Sequence, residues 1–143
     1  YGFNNSGGSV RYGNNISEGR EYCMTAGSWW SIEKNNDIFG KCNNPNFHGH
    51  NYILEVKVIG EINPDTGYVV DAKILKQIIN KEVIDQFDHK NLNLDTSDFR
   101  HLIPTAENIA RVIYDKIRIN LSIDLELKIK LYETENNSVE YPA

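Results

Sequence analysis

NYILEVKVIGEI, running from Asn51 to Ile62, alternates apolar and polar residues with a period of two. Tyr52, Leu54, Val56 and Val58 share one face, and Glu55 and Lys57 the other. That alternation predicts a strand with one side in a core and one side in water. Downstream, Asn63-Pro-Asp-Thr-Gly67 reads as a turn, and Tyr-Val-Val then runs into Asp71, a candidate N-cap. The helix that follows carries Ile74, Leu75, Ile78, Ile79 and Val83 on one stripe. FDHKNLNLDTSDF is polar and irregular. After Pro104, Thr105 is placed to cap a second helix with Glu107 in its first turn and Ile109, Val112, Ile113 and Ile117 facing inward. LELKIKLYE alternates again, and SVEYPA supplies a short closing strand.

Upstream the signals are weaker. SIEKNNDIFGKCNNPNF is loop-like, and REYCMTAGSWW reads as a weakly patterned first strand. Residues 1–18 are rich in Gly, Asn and Ser and predict a flexible lead, leaving 19–143 as a single domain. The predicted order is ββααββ, an α+β architecture in which two helices cover one face of a four-stranded antiparallel sheet.

The 143 residues suffice for one core. An apolar fraction of 40% and a charged fraction of 24% are those of a soluble globular protein, and a net charge of -5 argues against a nucleic-acid partner. No apolar run reaches the roughly 18–20 residues of a membrane span. YGFNNSGGSVRYGNN lacks a charged-then-apolar leader pattern, and two cysteines are too few for a disulfide scaffold. A reduced, cytoplasmic setting is therefore expected.

The residues with chemical potential are few. His48 and His50 flank a single Gly just before the strand. Alternation would aim both imidazoles the same way, as two ligands of one metal ion, although a bare His-x-His step more often marks a surface pair. Cys42 lies on the turn-rich loop before them. It is either a half-buried structural thiol or, beside a metal or imidazole, a base or nucleophile. Asp88-His89 sets an acid beside an imidazole in a polar segment. Glu133 continues the parity of Leu125, Leu127, Ile129 and Leu131. It either emerges into water or anchors the donors of a ligand.

FGKCNNPNFHGHNY, GEINPDTGYVVDAKILK, FDHKNLNLD, PTAENIA and LYETENN occur in one order and spacing. From about Phe39 onward the chain resembles the 6-pyruvoyl tetrahydropterin synthase family, which has the tunnelling fold. The five-residue gap between Cys42 and His48 is similar to that of the eukaryotic-type biopterin enzymes. The resemblance implies that three sheets close into a barrel and two trimers stack into a homohexamer, with active sites between subunits. It implies a small-molecule partner, 7,8-dihydroneopterin triphosphate, converted to 6-pyruvoyl-tetrahydropterin with loss of triphosphate. Neither nucleic acid nor membrane is implied as a partner.

Carried over by matching position, His48 and His50 are zinc ligands, and Cys42, Asp88 and His89 are the catalytic thiol and its acid–imidazole relay. Glu133 grips the pterin ring, with Thr105 and Glu107 beside it. Zn2+ is the implied cofactor, with Mg2+ accompanying the triphosphate. The family's third zinc ligand, a His on the first strand, has no counterpart here. Ungapped alignment from Cys42 puts Cys23 at that position, and alignment on YCMTAG puts it near Ala26 or Gly27. The resemblance therefore leaves two further readings open. One is a sister enzyme that makes 6-carboxy-tetrahydropterin or cleaves the side chain of dihydroneopterin. The other is a pterin-binding homologue impaired by the missing ligand.

Overall fold

The computed structural model describes residues 7–17, 51–88, 90 and 92–143, with residues 7–17, 51 and 93 described by their backbone alone. The predicted strand is present as β2 (Asn51–Glu61) and lies inside a four-stranded antiparallel sheet of order β1-β2-β3-β4. Its neighbour β3 (Glu126–Tyr132) sets Leu131 opposite Leu54, Ile129 opposite Val56 and Leu127 opposite Val58. All six are buried, so one face of the central pair is a continuous apolar layer. The strand β4 (Ser138–Tyr141) closes one edge, in the expected place.

The other edge differs from expectation. β1 (Gly7–Ser17) pairs with β2 along its whole length, from Gly7 opposite Glu61 to Ser17 opposite Asn51. The first strand thus falls within the segment whose composition predicted a flexible lead. A run with three glycines and two asparagines has poor strand propensity. Its place in the sheet rests on the ladder offered by β2, a context effect that propensity does not report. REYCMTAGSWW lies outside the described residues.

Helices cover the apolar face. After β2 the Asn63–Gly67 turn closes with Gly67 N–H donating to Asn63 O (2.7 Å), while Asn63 Oδ1 accepts from Asp65 N (2.8 Å). Gly67 has φ +75°, the left-handed region in which a side chain is strained. Helix α1 (Ala72–Ile79) is capped by Asp71, whose carboxylate accepts from Lys73 N at 2.9 Å. It continues as a π-helical stretch (Asn80–Ile84) and a final turn, α2 (Asp85–Phe87). Leu75, Ile79, Val83 and Phe87 are buried, Ile78 is partly so, and Ile74 is 51% exposed. The inward stripe is therefore narrower than predicted, and Ile74 is off it.

A short α3 (Leu92–Asp95) precedes α4 (Ala106–Arg118), the second predicted helix. Ile109, Ile113 and Ile117 are buried as expected, joined by Ala110, and Val112 is partly buried. Each of the three fully buried Ile side chains contributes about 1.5–3 kcal/mol of transfer free energy on burial. Lys116 and Arg118 stand in the last turn and Glu107 in the first, the arrangement that the helix dipole favours. Among the described residues, no helix is long and apolar enough to cross a membrane.

Candidate active site

The direction of α4 follows from two contacts. Arg118 Nη1 donates to Leu125 O at 2.6 Å, and the Tyr114 ring meets the Tyr141 ring at 5.1 Å, with Tyr141 paired to Ile129. As numbers fall along the helix they rise along β3, so the two run antiparallel. Thr105, which caps α4, accordingly faces the end of the sheet where β3 runs out into Glu133. The last pair of the β2–β3 ladder is Ile53 with Tyr132, so the start of β2 is at this same end. His50 precedes the first residue of β2 in the sequence. One end of the sheet thus gathers Glu133, the α4 N-terminus and the entry into β2.

The described residues of the predicted set are Thr105, Glu107, Glu133 and Asp88. Thr105 Oγ1 accepts from Asn108 N at 3.2 Å, and Asn108 Nδ2 donates to Ile103 O at 2.9 Å, fixing the approach to the helix. Glu107 is exposed in the first turn. Glu133 is half-buried just beyond β3, and its backbone N–H donates to Asn137 O at 3.0 Å, closing the turn into β4. Glu133 thus follows the apolar row of β3 and is neither fully buried nor fully exposed.

Asp88 is placed differently. It is half-buried and ends α2 in an extended conformation, with ψ 135°, while its N–H donates to Ile84 O at 2.9 Å. The residues before it are tied to the C-terminal part of α4. Lys116 Nζ donates to Gln86 Oε1 at 2.8 Å and lies 5.6 Å from the centre of the Phe87 ring. Phe87 in turn meets Phe99 edge-on at 5.5 Å. Lys116 also pairs with Asp98 at 3.3 Å. These contacts, which sequence patterning did not single out, hold the base of the Asp88 segment against the helix. A Lys near the C-terminus of a predicted helix was the only available signal, and it does not name its partners.

Cys23, Cys42, His48, His50 and His89 lie outside the described residues. Among the described residues, no group of three or more His, Cys, Asp or Glu is arranged to hold a metal ion. The donor chemistry of the remaining candidates nonetheless suits zinc. Two imidazoles with a thiolate form a nitrogen–sulfur set that this borderline-soft ion accepts.

A four-stranded antiparallel sheet with helices on one face is the fold this chain shares with solved pterin synthases. The family model described as PTPS, 6-pyruvoyl tetrahydropterin synthase, matches residues 23–143. The chain belongs to the 6-pyruvoyl tetrahydropterin synthase family. It is 45% identical over 111 residues to the human 6-pyruvoyl tetrahydrobiopterin synthase, covering 78% of this chain and 77% of the human one. It is 43% identical over 94 residues to the dihydroneopterin monophosphate aldolase of Pyrococcus furiosus, covering 65% of this chain and 75% of that protein. The structure of Caenorhabditis elegans 6-pyruvoyl tetrahydropterin synthase superposes with a TM-score of 0.84 at 33% identity over 97% of both chains.

Proposed function

We propose that this chain is an enzyme of tetrahydrobiopterin biosynthesis, a lyase that converts 7,8-dihydroneopterin triphosphate to 6-pyruvoyl-tetrahydropterin and releases triphosphate. The observation that carries this reading is the 45% identity to the human 6-pyruvoyl tetrahydrobiopterin synthase over 111 residues, alongside a family match over residues 23–143 that takes in Cys42 to Glu133.

The chemistry follows from the side chains. Glu133 offers two acceptor oxygens to the N3–H and 2-amino group of the pterin. That charge-assisted, bidentate pair orients a flat heterocycle. Thr105 and Glu107 flank it on α4. Cys42, as thiolate, takes a proton from a side-chain carbon, and His89, held in orientation by Asp88, returns or relays one. Successive transfers of this kind, with loss of triphosphate, move reducing equivalents from the side chain into the ring, which goes from dihydro to tetrahydro as the side chain becomes a diketone. His48 and His50, with Cys23 as third donor, would hold Zn2+. Such an ion polarises the side-chain oxygens and so eases removal of the neighbouring proton. Mg2+ would accompany the triphosphate.

Glu133 and the α4 N-terminus, the proposed pterin contacts, lie toward one end of the sheet, whereas the turn leading to Asp88 is fastened near the C-terminus of α4. That separation supports a site completed between subunits of a homohexamer. A cytoplasmic setting accords with the use of thiol chemistry. Incubation of the chain with 7,8-dihydroneopterin triphosphate, Zn2+ and Mg2+ tests the reading. Release of triphosphate together with a product of 6-pyruvoyl-tetrahydropterin mass is expected, and no turnover would reject it. The 43% identity to an archaeal dihydroneopterin monophosphate aldolase favours side-chain cleavage as the second reading, and the mass of the product separates the two.

A further inference from the structure

Asp88 belongs to a loop whose two ends are fastened to each other and to α4. Phe87, the residue before Asp88, is buried and meets the buried Phe99 ring edge-on, so these two rings close the loop at its base. Lys116 spans the same base. Its ammonium donates to Gln86 Oε1 at 2.8 Å and lies 3.3 Å from Asp98 Oδ2, and these are the residues that precede Phe87 and Phe99. The Lys116 side chain is 19% exposed and that of Asp98 28%, so the pair is partly withdrawn from water and less screened than a surface ion pair. Within the loop Leu92 and Thr96 are buried, and the Thr96 hydroxyl donates to Leu92 O.

The approach to Asp88 is set on the helix side by the π-helical stretch Asn80–Ile84. Leu75, Ile79, Val83 and Phe87 are buried at steps of four. In an α-helix each such step turns about 40° past the stripe, which would leave Phe87 about 120° away from Leu75. The wider π turn absorbs that drift, and turns of this kind recur at functional sites. Gln86 Nε2 donates to Lys81 O at 3.3 Å, tying the π stretch to the same side chain that receives Lys116. The rotation of the chain before Asp88 and the closure of the loop after it thus converge on one ammonium group.

We propose that Lys116 is a positioning residue for the acid–imidazole relay. It joins Gln86 to Asp98 across the base of the loop and so fixes the backbone that carries Asp88 and, next in the sequence, His89. The inference rests on the reaction proposed above, and Lys116 acts through the relay rather than on the substrate. Steady-state kinetics of the full chain with 7,8-dihydroneopterin triphosphate, Zn2+ and Mg2+ test it. Lys116→Met should lower kcat about tenfold or more while KM stays within about twofold, because the proposed pterin contacts lie toward the other end of α4. Lys116→Arg keeps a cation with several donors and should recover most of kcat. Asp98→Asn should lower kcat about threefold in the parent and change nothing in the Lys116→Met background, as befits two groups of one linkage. Ile129→Val, a core truncation in β3, should lower the denaturation midpoint comparably and leave kcat at the parent value. Unchanged kcat in Lys116→Met, an equal loss in Ile129→Val, no recovery in Lys116→Arg or an additive Asp98→Asn effect would each overturn the proposal. A parent without turnover rejects the reaction itself, and the linkage is then read from the imidazole NMR signals of His89, assigned by their loss in His89→Gln. Those signals should shift or broaden in Lys116→Met and return in Lys116→Arg, and signals identical to the parent's would overturn the positioning role. Should Lys116→Met fail to fold, Lys116→Gln and Asp98→Asn carry the same comparisons.

Discussion

The ammonium of Lys116 stands 5.6 Å from the centre of the Phe87 ring, one residue before Asp88 in the chain. The same group donates to Gln86 and pairs with Asp98, so one cation fastens both the end of α2 and the segment beyond it. Lys116→Met keeps the length of the side chain and removes the charge. It should lower stability by about 1–2 kcal/mol, the sum expected for one half-buried ion pair, one hydrogen bond and a cation–ring contact. A urea titration should show the midpoint fall at constant slope.

The cap of α4 is a separable contribution. Thr105→Ala removes the acceptor of the Asn108 N–H and should cost about 1 kcal/mol, whereas Thr105→Ser should restore most of it. If both variants match the parent in chemical denaturation, the hydroxyl is not a cap of consequence.

Glu133→Gln preserves shape and withdraws charge at a half-buried strand end. Pterin affinity should drop roughly 10- to 100-fold, the worth of one charge-assisted pair, with the fold unchanged. Equal affinity for 7,8-dihydroneopterin in variant and parent would contradict the anchor role.

Cys42→Ala should divide binding from turnover. A proton-transfer group acts in the transition state, so kcat should fall about 10²- to 10⁴-fold while pterin affinity stays near that of the parent. A matching loss of affinity would show that the thiol positions the substrate instead.

For the metal, elemental analysis should find about one zinc per chain in the parent. His48→Ala and His50→Ala should each lose it. Cobalt substitution reports on the third donor, since a thiolate ligand gives an intense near-ultraviolet charge-transfer band. Persistence of that band in Cys23→Ser would remove Cys23 from the set.

Much of the architecture could be read from residue order because its elements carry their own periodicity. Tyr52, Leu54, Val56 and Val58 announce a strand without reference to anything else, as Thr105 followed by Ile109, Ile113 and Ile117 announces a helix. β1 has no such pattern. Gly7, Gly8 and Gly13 contribute no packing, and its position is a property of β2's free edge. Ile74 reads as inward in the sequence yet is exposed, because hydrophobicity alone cannot tell a helix's central ridge, Leu75 and Ile79, from its flank. At the candidate site, parity puts Glu133 in series with Leu131, and only the structure shows that it lies beyond the end of the β2–β3 ladder at Tyr132, half-buried. The pairing of Leu54 with Leu131 is illegible for a related reason: register between strands some 70 residues apart is written in neither strand.

The turn from α4 to β3 carries Ile119 and Ile123, 82% and 93% exposed, and its composition suggests an easy target for digestion. Yet Arg118 donates to the carbonyls of Leu121, Ser122 and Leu125, so three acceptors of the turn converge on a single guanidinium. A trypsin-like protease recognises a basic side chain that can swing free and slot into its specificity pocket. Here that side chain is already committed to its own loop, and the bond after Arg118 is shielded although it lies at the surface.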